Sequence, residues 1–208
     1  MISVSILGIK EKREDKINII DNLDIDYIHL DVTDGLFTSS FTALNSIIDL
    51  LPGLKKPLDV HLMVENPKEY IDALIPYKPD FITIHREIDG YKKHLEYIKT
   101  NNIKCGICIK PDTPIEEVFD LIGFVDLFLI LSVNPGFSGQ KFIDVTKKIS
   151  SLKSLIVKQK NDALIEVDGG INDTNYMLCL ESGADIIVVG SYVTNGNDYA
   201  KQVESLTY

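Results

Sequence analysis

Basic residues are in short supply: 21 lysines and arginines face 31 aspartates and glutamates, a formal net charge of −10 at neutral pH. An anionic surface repels DNA, RNA and anionic lipid alike, so neither nucleic acid nor membrane is an expected partner. The same field repels a phosphorylated ligand at long range, so any phosphate site must work through local backbone N–H groups and helix N-termini. Long apolar runs are absent as well; none approaches the ~18 residues of a membrane span. The opening MISVSILGIK has neither a basic n-region nor a small-residue cleavage site, which makes the cytoplasm the expected location. Cysteine is scarce, with three in the chain. Cys105 and Cys108 form a C-x-x-C, a spacing that can mark a redox or metal site. They sit in IKCGICIK, however, a strand-like alternation rather than a loop leading into a helix, so all three read as free thiols. No Pro/Gly/Ser-rich linker divides the chain, and no G-x-G-x-x-G follows the first apolar run.

What is present is an ordinary globular composition, 45% hydrophobic and 25% charged over 208 residues, which predicts a single domain spanning 1–208. Short β-rich runs alternate with amphipathic stretches from end to end. The strand candidates are ISVSIL, DYIHLDV, LDVHLMV, DFITIH, IKCGICI, VDLFLILSV, LIEVDG and DIIVVG. Helix candidates lie between them at roughly 10–22, 43–51, 67–75, 90–100, 114–121, 141–159, 173–182 and 197–206, each the crossover that a parallel neighbour requires. Asn66-Pro67-Lys68-Glu69 and Thr113-Pro114-Ile115-Glu116 each place a cap, a proline at the first helical position and a glutamate two further on. The pattern predicts an α/β fold, a (β/α)8 TIM barrel, with an open doubly wound sheet as the alternative.

In such a barrel chemistry gathers at the C-terminal ends of the strands. The polar residues there are Ser5, His29, Asp31, Asp34, His61, His85, Glu87, Lys110, Ser132, Asn134, Asp168 and Ser191. His29 and Asp31 are two apart on one strand and so share a face. His61 ends the next strand and Asp168 the seventh. A lone histidine in such a place reads as a satisfied core residue. Two imidazoles and two carboxylates together read as a four-ligand site for one divalent transition metal, Zn²⁺, Fe²⁺, Mn²⁺ or Co²⁺. Carboxylates on opposite sides of a metal suit a reaction in which a proton leaves one face of a carbon and returns on the other. Next to a carbonyl the intermediate is an enediolate, and the chemistry is epimerisation alpha to a ketone, with Asp31 and Asp168 as the acid/base pair. Glycine-rich turns follow strands six to eight: Asn134-Pro135-Gly136-Phe137-Ser138-Gly139, Asp168-Gly169-Gly170 and Gly190-Ser191. The last two are where barrels of this kind hold a phosphate ester.

The segments VSIL, DYIHLDVTDGLF, LDVHLMVENP, FITIH, VNPGFSGQKFI, IEVDGGIN and GADIIVVGS, in that order, resemble those of the ribulose-phosphate 3-epimerase family over nearly the whole chain. The resemblance implies that His29, Asp31, His61 and Asp168 are the metal ligands and that Asp31 and Asp168 double as the two acid/base residues. It further implies that Ser5, His61, Met63 and Asp168 meet a ketose phosphate substrate, that the loop of Gly136, Phe137, Ser138 and Gly139 closes over it, and that Gly169, Gly170, Gly190 and Ser191 hold its phosphate. The family's substrates, ribulose 5-phosphate and xylulose 5-phosphate in the pentose phosphate pathway, and its homo-oligomeric state come with the resemblance. Three features depart from the pattern. Thr33 and Leu131 stand where methionines are expected beside Met63, the usual DGHF is DGLF at Asp34 to Phe37, and the usual Asn-Pro is Lys110-Pro111. A 3-epimerase of a hexulose phosphate such as allulose 6-phosphate, and a barrel that binds a sugar phosphate without turning it over, are the alternative readings.

Overall fold

The computed structural model describes residues 1–9 and 11–206. All of the expected β-rich runs form strands: β1 (Ile2–Ser5), β2 (Tyr27–Thr33), β3 (Leu58–Met63), β4 (Phe81–His85), β5 (Lys104–Ile109), β6 (Leu127–Leu131), β7 (Leu164–Asp168) and β8 (Ile186–Val189). Each is parallel to its neighbours, and the order β1 to β8 follows the sequence before closing back on β1. Closure removes both sheet edges and rules out the open doubly wound sheet.

Outside the barrel lie α1 (Arg13–Asp21), α2 (Leu44–Ile48), α3 (Lys68–Leu74), α4 (Tyr91–Thr100), α5 (Thr146–Lys158), α6 (Tyr176–Glu181), α7 (Ser191–Thr194) and α8 (Tyr199–Glu204). Residue 10, where the first helix was expected to begin, lies outside the described residues. The stretch expected as a helix over 114–121 is a 3-10 helix over Ile115–Leu121, and α5 starts at Thr146 rather than near 141. Neither expected cap forms. Thr113 instead donates its hydroxyl to Glu87 Oε1 on the neighbouring loop, and a side chain committed there cannot serve the turn that follows it. The short α7 was not anticipated.

Alternation along each strand sorts side chains between the helix-facing core and the lumen. Ile28, Leu30, Val60, Ile82, Ile107, Phe128, Ile130, Ile165, Val167 and Val189 face the helices in one large apolar cluster. The floor of the lumen is a separate plug of Phe81, Leu127 and Ile186, with Tyr27 and Leu164 against it. The next lumen level is polar on one side: Ser3, His29, Asp59, Thr83 and Glu166 are all fully buried. Gly106 belongs to this level, because a Cβ there would sit 2.1 Å from Thr83 Oγ1. Cys105 packs in the helix-facing cluster and Cys108 with Leu129 and Leu131. A spacing of three in a strand puts the two thiols on opposite faces, and all three cysteines are buried and free.

The N-terminal rim repeats one device. Asp26, Asp126 and Asp185, each just ahead of an even-numbered strand, accept the backbone N–H of Ile2, Cys105 and Ile165 on the strand before. These bonds pin the bottom of the barrel and leave the opposite rim to the site. None of the helices is long and apolar enough to cross a membrane among the described residues.

Candidate active site

The register and stagger of the barrel strands bring the four ligand candidates together, with His29 one residue pair deeper than Asp31. Asp31 is paired across with His61, and Ser5 with His29. Asp168, at the end of β7, pairs with Val188 on β8, which in turn neighbours β1. His29, Asp31, His61 and Asp168 thereby present donor atoms that all lie within 4.8 Å of one another.

The outer partners of each imidazole decide which ring nitrogen faces the centre. His29 Nδ1 lies 2.6 Å from Asp59 Oδ2, which also accepts from Ser3 Oγ at 2.8 Å. His29 Nδ1 therefore carries the proton, and Nε2 points inward, 3.3 Å from Asp31 Oδ1. His61 has the reverse sense: Nε2 lies 3.0 Å from His85 Nε2, and Nδ1 points inward, 3.2 Å from the same Asp31 oxygen. The other Asp31 oxygen accepts from Ser5 Oγ at 2.8 Å. A tetrahedral ion with ligands ~2.0–2.2 Å away holds neighbouring donors about 3.4 Å apart. The observed spacings of 3.2 and 3.3 Å match that edge, and the mixed imidazole and carboxylate set suits Zn²⁺, Fe²⁺, Mn²⁺ or Co²⁺. The residues fit a divalent metal on their own geometry.

The two carboxylates differ sharply in proton affinity. Burial works to raise Asp31, but the charge of His29 and the close approach of the His29 and His61 rings outweigh it and hold the carboxyl far below the usual range. Asp168 has no such partners. Burial and the nearby charge of Asp31 push it up to about 7, against the opposing pull of His29 and the Gly169 N–H. Burial tends to lower His29, yet Asp59 and Asp31 raise it well above its ordinary value.

The mouth above these groups is a pocket lined by Ser5, Asp31, Met63, Gly136, Phe137, Ser138, Gly139, Asp168, Gly169, Gly170, Gly190 and Ser191. Every expected substrate residue except His61 lies on its wall; His61 sits beneath it, fully buried. Leu7, Leu131, Val133, Asn134, Pro135, Gln140, Ile171 and Val188 complete the lining; Leu131, Asn134 and Pro135 stood out in the sequence, whereas Leu7, Val133, Ile171 and Val188 carry no signal that sets them apart from core residues. Two turns depend on glycine. Gly169 has φ 120° and a Cβ there would lie 2.5 Å from Val133; Gly170 has φ 65° and a Cβ would lie 2.6 Å from the Phe142 nitrogen. Leu131, one of the two departures, lines the pocket, whereas Thr33 is buried with its hydroxyl 2.9 Å from Thr42 Oγ1.

Several strand-end residues do other work. Asp34 accepts the N–H groups of Leu36, Phe37 and Glu65, tying the loop after β2 to the loop after β3. Ser132 Oγ donates to the carbonyls of Asp168 and Gly169 and supports the glycine turn. Lys110 Nζ stands 4.2 Å over the Phe37 ring. Asp59 and Glu166 escaped the reading of strand ends because they lie one level deeper; their positions two before His61 and Asp168 are the signal that could have found them. Both Glu166 oxygens and Asp59 Oδ1 are buried without a hydrogen-bond partner, and burial with the Asp59 charge raises Glu166 well above the carboxylate range.

Comparison with known proteins follows the same lines. The family model described as Ribulose-phosphate 3 epimerase family matches residues 1–194. The chain is 39% identical over 184 residues to a Helicobacter pylori protein named ribulose-phosphate 3-epimerase, covering 87% of this chain and 85% of that one. It is 38% identical over 185 residues to the Bacillus subtilis protein of the same name, with the same coverage of 87% and 85%. Among solved structures, the tryptophan synthase alpha-subunit of Pyrococcus furiosus aligns with a TM-score of 0.70 at 17% identity, covering 99% of this chain and 96% of that one. That likeness speaks for the barrel alone.

Proposed function

Because the chain belongs to the ribulose-phosphate 3-epimerase family, a family of isomerases, we propose that it interconverts D-ribulose 5-phosphate and D-xylulose 5-phosphate by two-base proton transfer at C3. The observation that carries the reading is the convergence of His29 Nε2, His61 Nδ1 and Asp31 Oδ1 at 3.2–3.3 Å. Three potential ligand atoms gathered at this spacing are what one bound cation would hold apart along the edges of its coordination shell, in place of the protons that otherwise lie between them. His29, Asp31, His61 and Asp168 would hold one divalent transition metal there. The chemistry such an ion supplies is positive charge beside the oxygens that turn negative when the C3 proton leaves.

The chain's own residues account for the proton traffic. Asp31, with its low proton affinity, rests ionised and takes the C3 proton from one face; the C3–H bonding pair moves into the C2–C3 bond as the C2 carbonyl becomes an enediolate oxygen. Asp168, across the site from Asp31, delivers a proton to the opposite face of C3, re-forming the carbonyl; in the ion-free chain its carboxyl is pushed up to about 7. Environments that drive two carboxyls apart in proton affinity suit one as base and one as acid. In the reverse direction the roles exchange. Ser5 steadies Asp31, and Met63 and Leu131 close the apolar side of the pocket. The turns at Gly169-Gly170 and Gly190-Ser191 would take the phosphate, and the Gly136–Gly139 loop would close the mouth. The reading includes a cytoplasmic homo-oligomer, for which the exposed Leu36, Phe41 and Phe137 around the mouth offer apolar surface.

Incubation of the purified chain with ribulose 5-phosphate, with xylulose 5-phosphate read by a coupled assay, tests the proposal; allulose 6-phosphate is run alongside. Faster turnover of the pentulose phosphate is expected, together with loss of activity on chelation and its return with added metal. Preference for the hexulose phosphate, or full activity in protein shown to be metal-free by elemental analysis, would overturn it.

A further inference from the structure

His85 and Glu87 have no place in the scheme above, yet they form a directed chain of hydrogen bonds that ends on a ligand candidate. Glu87 Oε1 accepts from the Lys110 backbone N–H at 2.9 Å and from Thr113 Oγ. Its other oxygen lies 3.0 Å from His85 Nδ1, and His85 Nε2 lies 3.0 Å from His61 Nε2. The sense of the chain is forced. A carboxylate only accepts, so His85 Nδ1 bears the proton and His85 Nε2 is a bare lone pair; His61 Nε2 must then donate, which leaves His61 Nδ1 bare and facing Asp31. The loop that supplies the Lys110 N–H is itself gripped by Lys148, whose ammonium donates to the carbonyls of Lys110, Pro111 and Thr113. His85 is held from above by the Phe37 ring at 4.4 Å between centroids.

The geometry points to Glu87 and His85 as positioning residues: acting in series, they lock His61 in the tautomer whose Nδ1 lone pair faces Asp31, and so make it a metal ligand. This rests on the metal-site reading above. His29 reaches the same end by a shorter route, with Asp59 directly on its outer nitrogen. The relay also accounts for the lysine at position 110. What Glu87 needs from that residue is a backbone N–H, which any residue but proline provides.

Glu87→Gln reverses the chain with little change of shape. The Lys110 N–H can only donate, so the glutamine oxygen stays with it and the amide N–H faces His85 Nδ1. His85 must then protonate Nε2, His61 must accept there, and its proton moves to Nδ1, into the ligand position. The expected results, on the full chain, are a zinc affinity lower by about ten- to a hundredfold and ¹⁵N ring resonances of His61 that exchange the protonated nitrogen from Nε2 to Nδ1, with an unchanged melting temperature. Should that variant not fold, His85→Phe keeps the packing on Phe37 and removes the acceptor for His61 Nε2; zinc affinity should again fall about tenfold. Unchanged zinc affinity in the folded variant, or a His61 tautomer that does not move, overturns the relay. Failure of the metal reading shows elsewhere, as a wild type that takes up no zinc, while the His61 resonances judge the relay with or without metal.

Discussion

The two sides of the barrel mouth treat the same functional group in opposite ways. On the β2–β3 side Asp31 is surrounded by Ser5, His29 and His61, and its proton affinity falls. On the β7 side Asp168 ends its strand among glycine turns, with burial and the Asp31 charge acting on it, and its proton affinity rises to about 7. Identical side chains thus acquire different jobs from where the register puts them: one side is built to hold a cation, the other to hold a proton.

Exchanging either carboxylate for its amide breaks this comparison most severely. Asp31→Asn and Asp168→Asn should each lower turnover by about three orders of magnitude or more, since a proton carrier and a ligand go together. The sides should differ in metal content. Asp31→Asn removes the oxygen on which both imidazoles converge and should lose most of the metal, whereas Asp168→Asn should keep more of it; elemental analysis of the two variants, with equal losses, would erase the distinction. In heavy water, initial product should carry deuterium at C3 while recovered substrate carries little. Product that retains the substrate's own hydrogen would mean a single shuttling base and would end the pairing of Asp31 with Asp168.

Metal uptake sharpens the comparison through pH. In the metal-free chain the raised affinities of Asp168 and His29 mean that protons occupy the site. A proton on a group with a raised value is bound below that value and lost as pH rises through it, so metal must displace protons at low pH and meets less competition at high pH. Apparent metal affinity should climb by about tenfold or more per pH unit below pH 7, with protons released on binding. Titration calorimetry in buffers of different ionisation enthalpy measures this; an affinity flat between about pH 5.5 and pH 8 would show that the two sides do not differ as described. The smallest effect is expected on the apolar wall. Leu131→Met, a near volume-conserving change in the pocket lining, should alter kcat/KM by less than about tenfold, and Thr33→Met should chiefly cost the bond to Thr42, read as a lower melting temperature with epimerisation retained.

The strands were legible because a barrel strand is covered on both faces and writes its helix-facing positions as branched apolar residues two apart, as in Ile28, Leu30 and Val32. The strand ends were legible for a related reason, since polar residues such as His29, Asp31 and His61 stand out in such runs. The helical capping signals failed where a distant partner outbid the local one. Thr113 has the spacing of a cap, but Glu87, 26 positions away in sequence, takes its hydroxyl, and the segment winds as a 3-10 turn. The deeper polar level of Ser3, Asp59 and Glu166 was not read as part of the site, because nothing in a local window says which buried carboxylate lies beneath a ligand.

Residue types and spacing by themselves determined the eight βα units, the lumen-facing strand-end positions of His29, Asp31, His61 and Asp168, and the glycine turns above them, since each of these follows from a period of two and from what glycine alone permits. The tertiary structure decided which nitrogen of each histidine faces the centre, which aspartate gives up its proton readily and which keeps it, and why position 110 tolerates lysine. Those depend on contacts between residues far apart in the chain, such as Glu87 with the Lys110 N–H and His29 with Asp59, and a hydrogen bond has a direction only once both partners are in place.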